Sequence, residues 1–450
     1  MSDVAPLSAE GTLGFMLRAL RSRNYRLFFV GQLVSLIGTW LSLLATSWLV
    51  YRLAKQSMPE STALVLGAVG FAGQIPVFLL SPWAGVWIDR WNRHHVLIGT
   101  QAFSMLQSFA LAALALSDVI QIWHIVVLNV FQGCVNAFDI TARQAFVVEM
   151  VEDRTDLSGA IALNSSMFHS ARLIGPAIAG WLIYYTSEGI CFLIDGISYF
   201  AVLVALWAMR LPSRTKIILH PSAGRSLIEG LKYSFGFKPI RILLLLVAIN
   251  SLLAMSQSVL MPLFADKVLR GDEKTLGLLL GASGFGAFLS SLYLASRRSM
   301  LGLGRVIAVA SGVLGIAMIG FSFSRWLPAS LAICTIMGGA LVTEVAAANT
   351  VLQTIVEDDK RGRVMSLFAV AVMGMAPFGS LLAGIEANFL GAPRTMCLAG
   401  ATSIVAAIGF ALYLPKLRLQ VRPIYVRKGI APEIAEAMQS ASTLAATPHE

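Results

Sequence analysis

Charge is what this chain has least of. Asp, Glu, Lys and Arg make up 13% of its 450 residues, against about 25% in an ordinary soluble domain. Hydrophobic residues make up 57%, and the mean hydropathy is +0.74. A soluble globular protein is excluded, and a polytopic membrane protein is indicated. Cysteine is almost as scarce. Cys134, Cys191, Cys334 and Cys397 are scattered through apolar runs with no CxxC pair, so neither a disulfide framework nor a metal site is expected. There is no GxxxxGK[ST] loop, so ATP is not the expected energy source. No HExxH and no Ser/His/Asp pattern suggests an enzyme, and no cofactor is expected. A cleavable leader is not expected either. Arg18, Arg21, Arg23 and Arg26 precede an apolar run too long for a signal core and without a small-residue cleavage site. That run reads as the first span.

What is present is a series of twelve apolar runs: about 27–50, 62–84, 95–116, 121–149, 160–184, 188–209, 241–264, 275–296, 304–323, 327–355, 364–388 and 393–414. Each is near the length of about 20 residues that crosses a bilayer. The net charge of +10 is better read as topology than as nucleic-acid binding. Of 34 Lys and Arg residues, only Arg52, Lys55, Lys267, Arg270, Lys274, Arg325 and Arg394 fall in the outer links when both termini are placed inside. Arg143 and Arg172 lie within spans, and the remainder stay on the inner side. By the positive-inside rule this predicts N- and C-termini in the cytoplasm. The expected layout is a cytoplasmic N-tail (1–26), a six-helix bundle (27–209), a cytoplasmic central loop (210–240), a second six-helix bundle (241–414) and a cytoplasmic C-tail (415–450). Within the loop, SLIEGLKYSFGF (226–237) is amphipathic and is expected to lie along the inner membrane surface.

The fourth run carries Gln132, Asn136, Asp139 and Arg143 at spacings that place them on one helix face. An ionised side chain near the bilayer centre costs on the order of 3 kcal/mol even on lenient scales, so this stripe is not expected to face lipid. Two readings stand. Asp139 and Arg143, one turn apart, form a structural pair inside the bundle, or the stripe lines a solute pathway.

A weak internal repeat relates the halves. Val151-Glu152-Asp153 follows run four and Val356-Glu357-Asp358 follows run ten. Each precedes a span with a Gly/Pro break, LIGPAIAG (173–180) and MAPFGSLLAG (375–384). Repeated six-span halves are common in secondary transporters. After the second span the chain reads GVWIDRWNRHH (85–95), which resembles the signature loop of the major facilitator superfamily, G-x-x-x-D-R/K-x-G-R/K-R/K. In the family this loop latches the outward-facing state. The resemblance implies a gating role for Gly85, Asp89, Arg90, Asn92 and Arg93. Gly85 would permit close helix approach, and Asn92, standing where the family has Gly, would tolerate a left-handed turn. The equivalent loop, ASRRSMLGLGR (295–305), lacks the Asp. SLIEGLKYSFGFKPIRILLLL (226–246), FLIDGISYF (192–200) and RGRVMSL (361–367) look like the branch that holds the enterobactin exporter and the macrolide efflux proteins.

That resemblance implies further roles. Gly175, Pro176 and Gly180 are similar to the antiporter motif of family exporters, where small residues bring helices close and Pro176 loosens the backbone ladder; a packing kink is the other reading. The family's span-4 motif l-x-R-x-x-q-G stands here as LNVFQG (128–133), with Asn129 in place of Arg. In the family, spans 1, 4, 7 and 10 line the cavity, which nominates Gln32, Ser35, Thr39, Asn250 and Gln257 alongside Gln132, Asn136, Asp139 and Arg143. His169 and Arg172 of span 5 lie at comparable depth; Arg172 either pairs with Asp139 or meets an anionic solute. Glu344, in mid-span 10 with no basic neighbour on its own helix, is the first proton-coupling candidate and Asp139 the second. Glu386 and Asp195 read as interfacial or capping residues. The expectation is an all-α membrane protein of two pseudo-symmetric six-helix bundles in a bacterial inner membrane. It acts as a monomer on small molecules and protons within membrane lipid, and exports an amphipathic or siderophore-like compound by antiport. An importer, a lysolipid or lipid flippase, and a non-transporting sensor or scaffold are the alternatives.

Overall fold

The computed structural model describes residues 18–151, 156–210, 232–297, 301–357 and 360–428. Nearly all of them are helical. A short 3-10 turn, Ala19–Arg21, leads into α1 (Arg23–Ser57). It is followed by α2 (Thr62–Arg90), α3 (Arg93–Leu116), α4 (Ile122–Met150), α5 (Leu157–Tyr185) and α6 (Glu188–Trp207). The second set is α7 (Lys238–Leu263, continued by a π-helical turn Phe264–Val268), α8 (Glu273–Ser296), α9 (Leu303–Phe323) and α10 (Leu327–Ile355). It ends with α11 (Arg361–Ala369, a π turn Val370–Gly374, then Ala376–Leu390) and α12 (Ala392–Arg427). Among the described residues 11 helices are long and apolar enough to cross a membrane. α5 is not one of them. Its first half carries Asn164, Ser165, Ser166, His169, Ser170 and Arg172, which dilutes its hydropathy although it packs among the others. The first half of the amphipathic piece 226–237 (226–231) lies outside the described residues.

The packing repeats itself. In the first half α1 lies against α5 and α6, α2 against α4, and α3 against α4 and α6. In the second half α7 lies against α11 and α12, α8 against α10, and α9 against α10 and α12. Each contact has its counterpart six helices later. The halves meet along two equivalent seams, α2 with α11 and α5 with α8.

Both seams are closed by glycine. A Cβ on Gly67 of α2 would lie 2.7 Å from the Gly384 Cα of α11, and one on Gly277 of α8 would lie 3.0 Å from the Gly180 Cα of α5. No larger residue fits, so the backbones touch. These crossings lie near the end at which α1 finishes, here called the Ser57 end. The described side-chain ties between the halves run from there to mid-helix, where Phe78 of α2 meets Phe378 of α11 edge-on at 5.3 Å. At the opposite end, the Arg23 end, the ties lie within the first half. Ser22 Oγ donates to the Met150 carbonyl (2.7 Å) and Tyr25 OH to the Ala160 carbonyl (2.8 Å).

Candidate functional site

The polar stripe of α4 turns inward, onto α3. Gln132 Nε2 donates to Ser104 Oγ (3.0 Å) and to Asn136 Oδ1 (3.0 Å). Further along, Asp139 is buried. One of its oxygens accepts from Thr100 Oγ1 (2.9 Å) and Gln101 Nε2 (2.7 Å). Its other oxygen accepts from Arg143. Three donors, one of them a guanidinium, charge-balance and orient this carboxylate. Arg172 is therefore not its partner. Asn129, where the family pattern has Arg, faces Gly73 of α2, whose Cβ position would be 3.4 Å from the Asn129 Cβ.

α6 completes this cluster with a residue that sequence reading misplaced. Asp195 is buried rather than interfacial. Its Oδ2 accepts from Ser108 Oγ of α3 (2.7 Å), and Ser42 of α1 lies beside the carboxylate. Tyr199 stands near both acids, beside Thr39 of α1 and Ser104 of α3. The signal for α3 was present in the sequence: Thr100, Ser104 and Ser108 recur every fourth residue and so share a face.

Glu344 is wholly buried inside the second half, and not at the seam between halves. Asn250 Nδ2 of α7 lies 2.9 Å from each of its oxygens and 2.6 Å from Ser311 Oγ of α9. Ser403 Oγ of α12 donates to Asn250 Oδ1 (2.8 Å). Four helices thus each give one residue to a network centred on Asn250. α4 and α10 are both 29 residues long. With Ile122 laid on Leu327, Asp139 falls on Glu344, Gln132 on Met337, Asn136 on Leu341 and Arg143 on Ala348. The second half keeps the acid and has lost the cation.

The other nominated residues divide. Gln32 and Ser35 of α1 and Gln257 of α7 are buried, and Gln32 Oε1 lacks a partner among the described residues. Thr39 is exposed and donates to the Ser35 carbonyl (3.0 Å). Arg172 and His169 sit at mid-α5, with the Arg172 guanidinium 5.7 Å from the centre of the Trp40 ring. Gly175 abuts Trp40 of α1, while Gly180 abuts Gly277 of α8. The Gly/Pro motif therefore packs α5 on one side and forms a seam on the other.

The α2–α3 loop departs from expectation in two ways. Asn92 has φ −74° and caps α3, its side chain accepting from the His94 N–H (3.0 Å); no left-handed turn is needed. A Cβ on Gly85 would meet nothing within 4 Å, so no close approach depends on it here. Arg93 Nη1 pairs with Glu149 Oε1 of α4 at 2.8 Å. Arg90 is exposed, and the side chain of Asp89 lies outside what is described.

The Ser57 end is tied across the halves by polar groups. Asp266, in the π turn after α7, accepts from Tyr51 OH and from Lys55 Nζ (2.5 Å), both on α1. Trp48 Nε1 of α1 donates to Glu273 Oε1 of α8 (3.0 Å). Lys274 Nζ of α8 lies 3.0 Å from the Tyr184 ring centre and 4.7 Å from that of Trp181, both on α5.

Two repeated six-helix halves joined along two seams are an arrangement common among secondary transporters. A family model described as transmembrane secretion effector matches residues 16–442. The chain belongs to that family of major facilitator transporters. It is 28% identical over 401 residues to the staphyloferrin A transporter of Staphylococcus aureus, covering 88% of this chain and 97% of that one. It is 26% identical to the multidrug efflux pump Tap of Mycolicibacterium fortuitum, covering 85% and 93%. To macrolide efflux protein A of Streptococcus pyogenes it is 23% identical, covering 86% and 95%. Among solved structures it shares its fold with a bacterial homolog of the human lysosomal transporter Spinster (TM-score 0.61, 13% identity, 92% of this chain and 99% of that one). It also shares it with a mutant of the nucleoside transporter NupG (TM-score 0.64, 12% identity, 87% and 99%). The protein is thus a multi-pass membrane transporter of the bacterial type, and these relatives are transporters and not enzymes.

Proposed function

We propose that this family member is a twelve-span, proton-coupled exporter with both termini in the cytoplasm. The bias of Lys and Arg toward the Arg23 end supports that orientation. In it, the Ser57 end is the outer face, and the cross-half ties there close the protein outward and leave it open to the cytoplasm. α5 is the twelfth span, apolar enough once its polar first half is turned away from lipid. The protein works as a monomer and draws on no ATP. Its solute is a small amphipathic compound of the kinds that its relatives' names record.

The observation that carries the coupling is the pair of equivalent buried acids with unequal partners. Asp139 is clamped by Arg143; among the described residues Glu344 hydrogen-bonds only with the Asn250 amide. A buried carboxylate without a cation changes its packing when it gains or loses a proton. Glu344 touches α7 through Asn250, and Asn250 touches α9 and α12 through Ser311 and Ser403. Protonation is thereby linked to the packing of four helices in the half that must rock. The α2–α3 loop, with Asp89, serves as the cytoplasmic latch of the opposite state, and the Gly175-Pro176/Gly180 segment as the seam on which the halves turn.

The test uses inside-out membrane vesicles with an imposed proton gradient and a panel of siderophores, macrolides, dyes and lysolipids. Gradient collapse on one compound class, lost in Glu344→Gln, is the expected result. An undiminished response in the double variant Glu344→Gln, Asp139→Asn overturns the coupling. No response to any compound from correctly inserted protein removes the exporter reading.

A further inference from the structure

Among the described residues, the cations nearest the buried acids and the helix ends that face them have a counter-charge in four cases. Arg143 has Asp139, Arg52 has Glu188, Lys55 has Asp266 and Arg93 has Glu149. Arg172 is different. It sits halfway along α5, and no ion pair or hydrogen bond to another described residue accounts for its guanidinium. Its described neighbours are the Trp40 ring at 5.7 Å and His169 one turn back. His169 Nδ1 is buried and also lacks a hydrogen-bond partner among the described residues. Asp139, the acid that the sequence offered it, is taken by Arg143, Thr100 and Gln101.

The faces of α5 show what Arg172 looks into. Ile174, Ile178, Trp181 and Tyr185 are exposed on one side and carry no charge, as a lipid-facing stripe should. Ile161, Ser165 and Phe168 are exposed on nearly the opposite side. Arg172 continues that second row at helical spacing and is itself partly exposed. Between these faces α5 is flanked by α1, where Gly175 meets Trp40, and by α8, where a Cβ on Gly284 would lie 2.6 Å from the Arg172 carbonyl. The second row therefore borders the space between the halves, on the Arg23 side of their closure. Phe168 meets the Trp40 ring edge-on at 5.7 Å, so two aromatic rings stand beside the cation.

An unneutralised guanidinium in a low-dielectric setting is costly, and a planar fork of donors suits an oxyanion. Rings next to it suit an apolar or aromatic body. We propose that Arg172, with Trp40 and Phe168, forms the binding site for the oxyanion of a small amphipathic solute, in which the carboxylate meets Arg172 and the apolar part lies on the two rings. His169 is the second polar contact, through Nδ1. This deepens the transport reading and rests on it for the claim that the space between the halves admits solute.

The test is equilibrium binding to the purified full-length protein in zwitterionic phosphatidylcholine nanodiscs, with no gradient. The probes are matched acid and neutral pairs: dansylglycine with its methyl ester, and 1-naphthylacetate with 1-naphthylacetamide. The expected result is that the acids bind about tenfold or more tightly than their neutral partners, as loss of a charge-assisted contact implies. That preference disappears in Arg172→Gln, is largely kept in Arg172→Lys, and survives in Trp40→Ala with both members of a pair weakened. Should Arg172→Gln fail to fold, the wild-type acid preference and its retention in Arg172→Lys decide the matter. No acid preference in any pair, or a preference unchanged in folded Arg172→Gln, overturns the site. Complete displacement of the acids on adding phosphatidylglycerol to the discs assigns the site to anionic lipid and overturns the solute reading. Because no gradient is used, the outcomes separate. A lost preference with intact proton-linked transport removes only this site. An intact preference with no transport in vesicles removes the coupling instead.

Discussion

Asp139 and Glu344 hold equivalent places on α4 and α10 but live under different constraints. Arg143 cannot leave Asp139 without stranding a buried charge. Arg143→Ala should therefore destabilise the protein by about 3–5 kcal/mol, read as a large loss of thermal stability in detergent. Adding Asp139→Asn should recover most of that loss, because the amide leaves no charge behind. Around Glu344 the expectation reverses. Glu344→Gln should fold normally, since no cation is orphaned, while gradient-driven transport is lost. Asn250→Ala should cost about 1–3 kcal/mol, because it removes donors from Glu344 and an acceptor from Ser403 together. Equal thermal stability of wild type and Asn250→Ala would show that the network does not hold the four helices.

At the scale of elements, the seams matter more than any single contact. α2 with α11 and α5 with α8 pack backbone to backbone through Gly67, Gly384, Gly180 and Gly277. A leucine at position 180 or 67 has no room in this arrangement, so Gly180→Leu and Gly67→Leu should hold the halves apart at the Ser57 end. The measurement is labelling of a cysteine placed near that end, in a background without the four native cysteines; it should become reactive in the leucine variants and stay protected in the parent. Unchanged protection would mean that the seams tolerate bulk and do not set the closed state. The breaks in α11 have a local cause as well. The π turn Val370–Gly374 precedes Pro377, at the start of the next helical segment, where a missing N–H and the ring displace the regular ladder.

For the whole molecule, the closure at the Ser57 end depends on a few polar ties in a largely apolar body. Asp266 gathers Tyr51 and Lys55, and Trp48 reaches Glu273. These groups must part if the halves are to open there. Asp266→Asn, Tyr51→Phe should weaken the closed state, by about 1–3 kcal/mol for the charged hydrogen bonds lost. In the same cysteine assay this appears as faster labelling at the Ser57 end and slower labelling at the Arg23 end. Faster labelling at both ends would indicate unfolding rather than a shift between two states.

The sequence by itself determined the solvent, the helices and the two-fold plan. Apolar runs of bilayer length leave a helix as the way to satisfy the backbone in lipid, and the repeated Val-Glu-Asp and Gly/Pro pieces record the two halves. It also marked the charged and amide residues inside spans, because lipid makes each of them conspicuous. It could not pair them. Asp139 with Thr100 and Gln101, Glu344 with Asn250, Ser311 and Ser403, and Asp195 with Ser108 join residues from different helices. Such partners follow from how helices rotate about their axes in the packed bundle, and a periodic pattern leaves that rotation open. The same reason hid the burial of Glu344 inside one half and the placement of Arg172 at the seam. Both are polar residues at mid-span, alike in sequence, and only the packing of neighbouring helices decides that one meets the Asn250 amide and the other the Trp40 ring.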